Sequence, residues 1–393
     1  MRCYFDNSAT TPLDPRVREA MLPYLENLFG NPSSLHADGL VARRGMEEAR
    51  RDVATLLGAE PDEIIFTASG TEAINLALLG VIGESEAADR HVITSAIEHP
   101  AVLMTCRAME KRGTAVTRLP VGSDGIVEPA ALATALRPNT RLVSIMAANN
   151  VVGAIQPIEE LARITRAHGA LFHCDAVQAI GKIPLDMRAL PVDLLSLSAH
   201  KLYGPKGVGA LYVRRGVRLA PLIHGGGQER GVRSATENVA GICGLGRAAA
   251  IARAEMADDA ARLVGMRDRL LSGIAEAVPG VYLFGHAYRR LPGHLCIGLA
   301  GHEGEAIRLL LLFDDAGFSL SSGSACSSSH IAEPSAVLLA MGFDPVRARG
   351  SLRITLGRFT TDAEVDRFIE IFPRIVGSLT SIYLKPHQQR RQQ

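Results

Sequence analysis

The sequence predicts an α/β protein with a large domain, built on a mostly parallel sheet that helices cover on both faces, and a smaller α+β domain. From residue 63 to residue 213, short and almost continuously apolar strands alternate with amphipathic helices. This alternation is the pattern of parallel strands that are buried on both faces. From Thr236 onwards the alternation gives way to one long helical segment, which we take as the boundary region between the domains.

Length and composition agree with this organisation. The chain has 393 residues, which is long for one hydrophobic core. Hydrophobic residues make up 47% and charged residues 21% of it, as in soluble globular proteins, and no apolar run approaches the roughly 18 residues that span a bilayer. A net charge of +1 gives no electrostatic reason to expect nucleic acid or a membrane as partner. No signal-peptide pattern is present, so we expect a cytoplasmic protein.

The large domain is predicted over residues 15–255. Its strands, such as "HVITS", are rich in β-branched and large apolar residues. The helix over 157–169 begins with proline and ends with glycine, both typical boundary signals. The seven strands are expected at 63–67, 91–95, 115–119, 141–147, 170–176, 192–198 and 209–213, and the helices at 71–81, 99–112, 129–136 and 157–169, followed by the long helix from Thr236.

The small domain is predicted from residues 1–14 and 256–393. Its last helix begins with the capping box "TDAE" (361–364), in which the first and last side chains can satisfy each other's backbone N–H groups. Strands are expected in "VYLFG", "HLCIGLAG" and "SLRITLG", and helices in "GEAIRLLLLFDDAG" and "PSAVLLAMG".

The cysteines are scattered and form no CxxC pair, so the sequence predicts neither a zinc site nor a redox dithiol. Cys326 stands apart, because its segment "SSGSACSSSH" (321–330) offers only small or polar neighbours and nothing that would bury a thiol. We predict a loop over about 321–333 in which access decides the reactivity of this thiol. Four others lie in apolar or periodic segments and are expected to be buried as small hydrophobic residues: Cys106, Cys174, Cys243 and Cys296.

A lysine follows the predicted strand in "SLSAHKLYGPKGVGALYV" (196–213). Lys201 is flanked by Ser198 and His200 and precedes a glycine-rich turn. A single lysine in a turn is most often an ordinary surface residue. At the carboxyl end of a strand in such a sheet, however, ligands bind, and a lysine held in a cleft can react with an aldehyde.

An aspartate ends the predicted strand in "HCDAVQAIGK" (173–182). Asp175 could be a plain helix cap, or it could be the carboxylate partner that a pyridinium nitrogen needs. Gln178 follows three residues later.

The segment "FTASGTEAINLAL" (66–78) runs from a strand through Gly70 and Thr71 into a helix. Its helix N-terminus could be an ordinary cap or an anion site for a phosphate.

His99 lies between a strand and a helix in "SAIEHPAVL". It could be a turn histidine with satisfied hydrogen bonds, or an aromatic plate over a cofactor ring that also moves protons near neutral pH.

The four motifs occur in the order phosphate turn, histidine, aspartate and lysine, each after a strand. This order resembles that of pyridoxal-phosphate (PLP) enzymes of the aspartate-aminotransferase fold type, called fold type I. Over nearly its whole length the chain is similar to cysteine desulfurases, the NifS/IscS branch of the class V aminotransferase-like enzymes. The most specific segments are "SAHKLYGPKGVGALYVRRG" and "SSGSACSSSHIAEPSAVLLAMG".

The resemblance implies a role for each residue of these motifs. Lys201 is similar to the Schiff-base lysine, which also acts as acid and base at the substrate Cα. Asp175 is similar to the pyridinium partner, His99 to the acid–base that stacks on the ring, and Gln178 to a hydrogen-bond donor to the ring hydroxyl oxygen. The residues that match the family's phosphate cup are Gly70, Thr71, Ser198 and His200.

Further residues match the substrate site and the dimer interface of the family. Asn150 and Arg353 match the clamp on the substrate carboxylate, with Arg358 as a less favoured alternative for the arginine. Thr236 matches a threonine that reaches the phosphate of the partner subunit. Cys326 matches the thiol that takes the sulfur.

The resemblance also implies a reaction and its partners. The substrate would be L-cysteine and the product L-alanine, with a persulfide on Cys326 whose sulfur passes to an acceptor protein for iron–sulfur cluster assembly or thiolation. The enzyme would be a homodimer without a resident metal, nucleic acid or membrane as partner.

The chain departs from the family pattern at several places. Val151 replaces a common acidic residue, Ala147 a common histidine, and Ala199 and Ala235 common glycines. The cysteine segment is about one residue longer, and "SIYLKPHQQRRQQ" lacks the acidic-aromatic segment with which housekeeping members dock a scaffold protein.

Two other functional classes stay open at the level of sequence. One is another PLP enzyme of the same fold, either an aminotransferase or a selenocysteine or cysteine-sulfinate lyase. The other is a non-catalytic scaffold subunit. Transamination needs no thiol and a scaffold needs no reactive lysine, so Cys326 and Lys201 discriminate between them.

Overall fold

The computed structural model describes residues 2–84, 90–323 and 333–383, with side chains described as far as residue 379. The strands are β1 (Cys3–Tyr4), β2 (Ile64–Thr67), β3 (His91–Ser95), β4 (Ala115–Leu119), β5 (Thr140–Met146), β6 (Leu171–Asp175), β7 (Leu194–Ser198), β8 (Gly209–Val213), β9 (Val281–Leu283), β10 (His294–Leu299), β11 (Phe318–Ser319), β12 (Ser321–Ser322) and β13 (Leu352–Thr355). The helices are α1 (Pro15–Glu26), α2 (Ala37–Leu57), α3 (Gly70–Gly83), α4 (Pro100–Glu110), α5 (Pro129–Ala135), α6 (Ile158–His168), α7 (Val239–Ala277), α8 (Ala306–Asp315), α9 (Ala336–Ala340), α10 (Pro345–Arg349) and α11 (Asp362–Tyr383).

A seven-stranded sheet in the order β2-β8-β7-β6-β5-β3-β4 forms the centre of the fold. The pairs among β3 to β7 are parallel, whereas β8 runs antiparallel to both of its neighbours. The predicted α/β class with a mostly parallel sheet is therefore confirmed. The reversal at β8 follows from chain length, because residues 199–208 are too few for the dozen or more that a parallel crossover needs.

Both faces of this sheet are covered, as the continuous apolar strands predict. Leu194 packs in one hydrophobic cluster and Leu195, which points to the other face, packs in a second one. Both side chains are completely buried. Since successive side chains of a strand point to opposite faces, this pattern requires helices on both sides of the sheet.

A second, antiparallel sheet has the order β12-β13-β10-β9 and a separate hydrophobic cluster with α8 and α11. A short parallel pair of β1 and β11 lies beside it. The helix α7 packs against α1, α2 and α11, and it spans the predicted domain boundary at residue 255. That boundary stays a prediction.

Several helix ends follow the sequence signals. Thr361 and Glu364 form the predicted capping box, with each backbone N–H donating to the other residue's side chain. Gly169 ends α6 in the left-handed conformation, with φ +87°, which favours glycine. The long helix was predicted from Thr236 but begins at Val239, because the side chain of Asn238 caps it by accepting from Gly241 N.

The four cysteines for which burial was predicted are buried. Cys326 and most of its predicted loop lie outside the described residues. None of the helices within the described ranges has both the length and the apolar character that crossing a membrane requires.

Candidate active site

A cavity of about 440 Å³ opens at the carboxyl ends of the central strands. Its volume is in the range of small-molecule sites, about 300–1,000 Å³. The cavity brings together residues that are far apart in the sequence, because the motif segments all follow strands of one sheet. The predicted site residues that line it are Gly70, Thr71, His99, Asn150, Asp175, Gln178, Ser198, His200, Lys201 and Arg353.

Lys201 leaves the end of β7 through a single 3₁₀ turn, Ala199–Lys201. Its Nζ donates to the carbonyl oxygens of Ser8 at 2.5 Å and Ala9 at 2.7 Å. The amine is thus held at the cavity wall by backbone acceptors of the N-terminal segment.

Asp175 ends β6 and is 4% exposed. Its Oδ1 accepts from Val177 N at 3.0 Å, which closes a local turn. Burial raises the pKa of this carboxyl group, and the nearby His99 and Lys201 partly offset that effect. A cationic group bound in the cavity would offset it further, since an opposite charge favours the ionised carboxylate.

Glu98 lies beside this carboxylate and is 2% exposed. Its Oε1 accepts from Ser95 Oγ at 2.6 Å and from Met146 N at 3.0 Å. Burial raises the pKa of Glu98 to about 8, and its hydrogen bonds lower it less. Glu98 is therefore mainly neutral at pH 7 and adds little negative charge next to Asp175.

His99 caps the N-terminus of α4. Its Nδ1 accepts from Ala101 N at 3.1 Å, so in the neutral ring the proton is on Nε2. The ring lines the same cavity as Asp175 and Lys201. His99 therefore has one nitrogen fixed by the helix and one nitrogen available for proton exchange.

The N-terminus of α3 forms another wall of the cavity. The Oγ of Ser69 caps it by accepting from Glu72 N at 3.1 Å, and the first N–H groups of a helix have no acceptor within it. A Cβ atom on Gly70 would approach Val177 Cγ2 to 2.8 Å and Ser198 Cβ to 3.2 Å. Glycine therefore lets the N-terminus of α3 lie close to Val177 and Ser198, which line the same cavity.

His200 is held by a contact between its Nδ1 and Thr10 Oγ1 at 3.1 Å. Burial, together with the charges of Lys201 and Lys206, lowers the pKa of His200 to about 4. At neutral pH the ring is uncharged, so it can contribute a hydrogen bond to the cavity but no charge.

Arg353 lies on β13 and is 1% exposed. Its Nη1 donates to Asn150 O at 3.0 Å, and its Nη2 donates to Asp6 Oδ1 at 2.8 Å and to Ser321 Oγ at 3.1 Å. Its buried Nε has no hydrogen-bond partner in the described part of the chain. A buried donor of this kind is costly unless a ligand satisfies it.

Arg358, the alternative for the arginine, does not line the cavity. Its guanidinium pairs with Asp14 at 3.2 Å and Asp259 at 2.9 Å and lies over the ring of Tyr203, 4.6 Å from the centroid. These ion pairs and the contact with the aromatic ring give Arg358 a structural role.

Gln178 connects two parts of the site. Its Nε2 donates to Ser8 O at 2.8 Å, and its Oε1 accepts from Lys182 Nζ at 3.3 Å. The carbonyl of Ser8 thus accepts from both Gln178 and Lys201.

Thr236 is exposed and does not line the cavity. It lines an adjacent pocket of about 120 Å³, which shares Gly207 with the main cavity. Ion pairs anchor its loop: Arg50 with Glu229 at 2.8 Å and Arg233 with Glu72 at 2.7 Å.

Sequence reasoning missed several residues of the site. Asp6, Ser8 and Ala9 belong to residues 1–14, which were assigned only to the small domain, and their partners lie far along the chain. Ser69 could have been recognised as a cap from "ASGTE". Lys182 could have been noticed because it follows Gln178 by four residues, a spacing that brings side chains together on a helical turn.

Comparison with known proteins gives one family. The sequence profile of the family Aminotransferase class-V matches residues 3–368. The chain is similar to the cysteine desulfurase IscS of Dictyoglomus turgidum, with 47% identity over 386 residues that cover 98% of this chain and 97% of that protein.

Solved structures agree with this similarity. A NifS-like protein matches with a TM-score of 0.90 and 42% identity, over 96% of this chain and all of that one (100%). The structure described as SspA in complex with cysteine matches with a TM-score of 0.81 and 34% identity, over 92% of this chain and 100% of that one.

Proposed function

The chain belongs to the class-V aminotransferase family and is a cysteine desulfurase, and we propose that it removes the sulfur of L-cysteine in the cavity at the ends of the central strands. This assignment of the site rests on one observation, that five of the predicted side chains line the same cavity. They are His99, Asp175, Gln178, Lys201 and Arg353.

The family is PLP-dependent, and the donors of this cavity fit that cofactor. The N-terminus of α3 with Gly70 and Thr71, together with Ser198 and His200, would hold the phosphate, since N–H and hydroxyl groups suit an anion. The glycine at position 70 supports this fit, because it lets the helix N-terminus lie close to Val177 and Ser198, two other residues of the cavity lining.

The remaining cavity residues would hold the ring and the aldehyde. Asp175 would meet the ring nitrogen, Gln178 would donate to the ring hydroxyl oxygen, and His99 would lie against the ring face. Lys201 would bind the aldehyde carbon through its amine. When bound, PLP supplies a conjugated ring that takes up the electrons released at the substrate Cα.

The substrate carboxylate would bind at Arg353. The position of Arg353 in the cavity lining supports this assignment, because a guanidinium binds a carboxylate through charge-assisted hydrogen bonds. The hydrogen bonds that the guanidinium donates to Asp6, Ser321 and Asn150 fix its plane, which preorganises it for a directional contact.

Proton transfers at the substrate fall to two side chains. Lys201 would take a proton from the substrate Cα and return it through its amine. His99, with Nδ1 engaged by the helix, would exchange protons through Nε2. The arrangement separates the fixed nitrogen from the reactive one.

Cys326 would accept the sulfur. Its thiolate attacks the substrate sulfur, a sulfur–sulfur bond forms, and the bond from Cβ to sulfur breaks with its electron pair staying on the carbon side. After protonation that side leaves as L-alanine. The persulfide is then available to an acceptor protein for iron–sulfur assembly or thiolation.

We further propose a homodimer in which Thr236 completes the phosphate site of the partner subunit. The exposure of Thr236, together with its place outside the cavity of its own subunit, supports this role.

The assignment is tested by adding PLP and L-cysteine to the purified chain and to the variants Lys201→Ala and Lys111→Met. Lys111 is exposed at the end of α4 and serves as the matched control. We expect a visible cofactor band and stoichiometric L-alanine with the wild type and the control, and neither with Lys201→Ala. Release of alanine by Lys201→Ala at the wild-type rate would refute the assignment.

A further inference from the structure

We propose that Lys182 is a positioning residue of the cofactor site: it fixes the side-chain amide of Gln178 so that the NH₂ group, and not the carbonyl oxygen, faces the cavity. The inference rests on the function proposed above and deepens it. It assigns a role to a lysine that touches neither the proposed phosphate cup nor the substrate clamp.

The geometry that carries the inference is a chain of hydrogen bonds. Lys182 Nζ donates to Gln178 Oε1 at 3.3 Å, and Gln178 Nε2 donates to Ser8 O at 2.8 Å. An ammonium group has three donors and no acceptor, so it can satisfy only the oxygen end of the amide. With one hydrogen of Nε2 on Ser8, the other remains for a ligand oxygen.

The local backbone places the two side chains together. Residues 176–183 form short helical turns, in which Ile180 N donates to Ala176 O and Ile183 N to Ala179 O. Gly181 adopts φ +68° between the two residues, a left-handed conformation that glycine tolerates. The chain therefore turns back after Ile180, and Lys182 N and Ile183 N both donate to Ala179 O. This turn brings the side chain of Lys182 within hydrogen-bond distance of Gln178.

Lys182 has no carboxylate partner among the described residues, although it is half-buried. Burial, together with the charges of Lys201 and Arg353, lowers the pKa of Lys182 to about 7. Near neutral pH the side chain therefore exchanges between amine and ammonium, and the ammonium form can only donate to Gln178. Other titratable or charged side chains that face it are His200, Tyr203, Asp259 and His294.

The consequence for binding is directional. A side-chain amide can turn over and exchange its donor and acceptor ends, because the two ends have nearly the same shape. In the reversed orientation, Oε1 of Gln178 would face an oxygen of the cofactor and repel it. Lys182 opposes that orientation by satisfying Oε1 on the side away from the cavity.

The test is a double-mutant cycle on the full-length chain, with the dissociation constant of PLP as the readout. Lys182→Met keeps the length of the side chain but removes the donor, and we expect binding about three- to tenfold weaker, the loss of part of one hydrogen bond. In the Gln178→Ala background the same change should alter the constant by less than about twofold. Lys111→Met is the surface control.

A second variant tests whether the hydrogen bond that Lys182 donates, or its positive charge, is what matters for binding. Lys182→Gln keeps a neutral donor, and we expect binding within about twofold of wild type. It also keeps the comparison possible if Lys182→Met does not fold. The pH midpoint of the bound cofactor's absorption band is recorded for each variant, since a purely structural loss would leave it unchanged.

The outcomes are distinct. An effect of Lys182→Met that persists in the Gln178→Ala background, or is absent in the wild-type background, overturns the positioning role while the proposed function stands. Failure of the wild-type chain to bind PLP through Lys201 overturns both proposals.

Discussion

Arg353 donates from Nη2 to the carboxylate of Asp6 at 2.8 Å, across 347 positions of the sequence, while its buried Nε has no partner in the part of the chain that the structure describes. Three hydrogen bonds hold this guanidinium in place, which leaves two of its five N–H donors, one on Nε and one on Nη1, without a protein acceptor that these bonds supply.

The first prediction concerns the guanidinium of Arg353. Arg353→Lys replaces the planar guanidinium by a single ammonium group, which cannot bind a carboxylate in two places. We expect kcat/KM for L-cysteine to fall about 10- to 100-fold, the value of a hydrogen bond to a charged group. Steady-state kinetics at a saturating PLP concentration measures it.

Arg358→Lys is the matched control for that experiment. Arg358 is equally part of the C-terminal segment, but its contacts are with Asp14, Asp259 and Tyr203. We expect a lower Tm and an unchanged KM. An increase in KM for Arg358→Lys and not for Arg353→Lys would reverse the assignment of the clamp.

The second prediction concerns the wall formed by α3. In Gly70→Ala the new methyl group would come within 2.8 Å of Val177 Cγ2 and 3.2 Å of Ser198 Cβ. The start of α3 would have to shift, and the proposed phosphate site would shift with it. We expect the affinity for PLP to fall about tenfold or more, the effect of overpacking a tight site. Gly265→Ala, at an open position of α7, should bind PLP like the wild type. Equal affinities in the two variants would argue against a phosphate at this wall.

The third prediction is a dependence of stability on pH. Burial raises the pKa of Glu98 from its ordinary value of 4.5 to about 8. Between these values the folded state keeps a proton that the unfolded state releases, so this group makes the free energy of unfolding fall as the pH rises. Glu98→Gln removes that contribution, and we expect a slope that is less negative by up to about 1.4 kcal/mol per pH unit.

Chemical denaturation measures that slope for the wild type, for Glu98→Gln and for the exposed control Glu26→Gln. The measurements cover about pH 5 to 8, the range between the ordinary and the raised pKa of Glu98. The control should behave like the wild type. Parallel curves for all three proteins would show that Glu98 is already ionised at neutral pH.

The fourth prediction concerns the loop that carries Thr236. Glu229 accepts from Nη1 and Nη2 of the buried Arg50 guanidinium and from Phe66 N. Glu229→Ala removes the buried carboxylate of this pair and leaves the more exposed Glu47 as the remaining carboxylate beside Arg50. We expect a loss of about 3 kcal/mol in the free energy of unfolding, the lower end for a broken buried pair. Glu370→Ala, which breaks an exposed pair with Arg374, should change the stability little. A loss no larger than that of the control would mean that Arg50 finds another partner.

Much of the fold could be predicted because its signals are local. The strand and helix alternation, the capping box at Thr361 and the buried cysteines follow from short stretches of sequence. The antiparallel direction of β8 was not predicted. It depends on the short link over 199–208, because a parallel crossover needs a dozen or more residues.

The candidate site divides in the same way. Asp175 and Lys201 could be placed at one edge of the sheet, because each follows a strand and the ends of parallel strands meet. The contacts of Lys201 with Ser8 and of Arg353 with Asp6 could not, since they join segments nearly two hundred or more positions apart. Spacing in the sequence carries no information on such contacts.

The central claim is that sulfur passes from L-cysteine to Cys326, and mass spectrometry of the intact protein and of its Cys326 peptide tests it most directly. After one equivalent of L-cysteine with PLP, we predict a gain of one sulfur atom on Cys326 together with one equivalent of L-alanine, and no such gain in Cys326→Ser. Alanine and sulfide formed by Cys326→Ser at the wild-type rate, or an added sulfur on another cysteine, would contradict the claim.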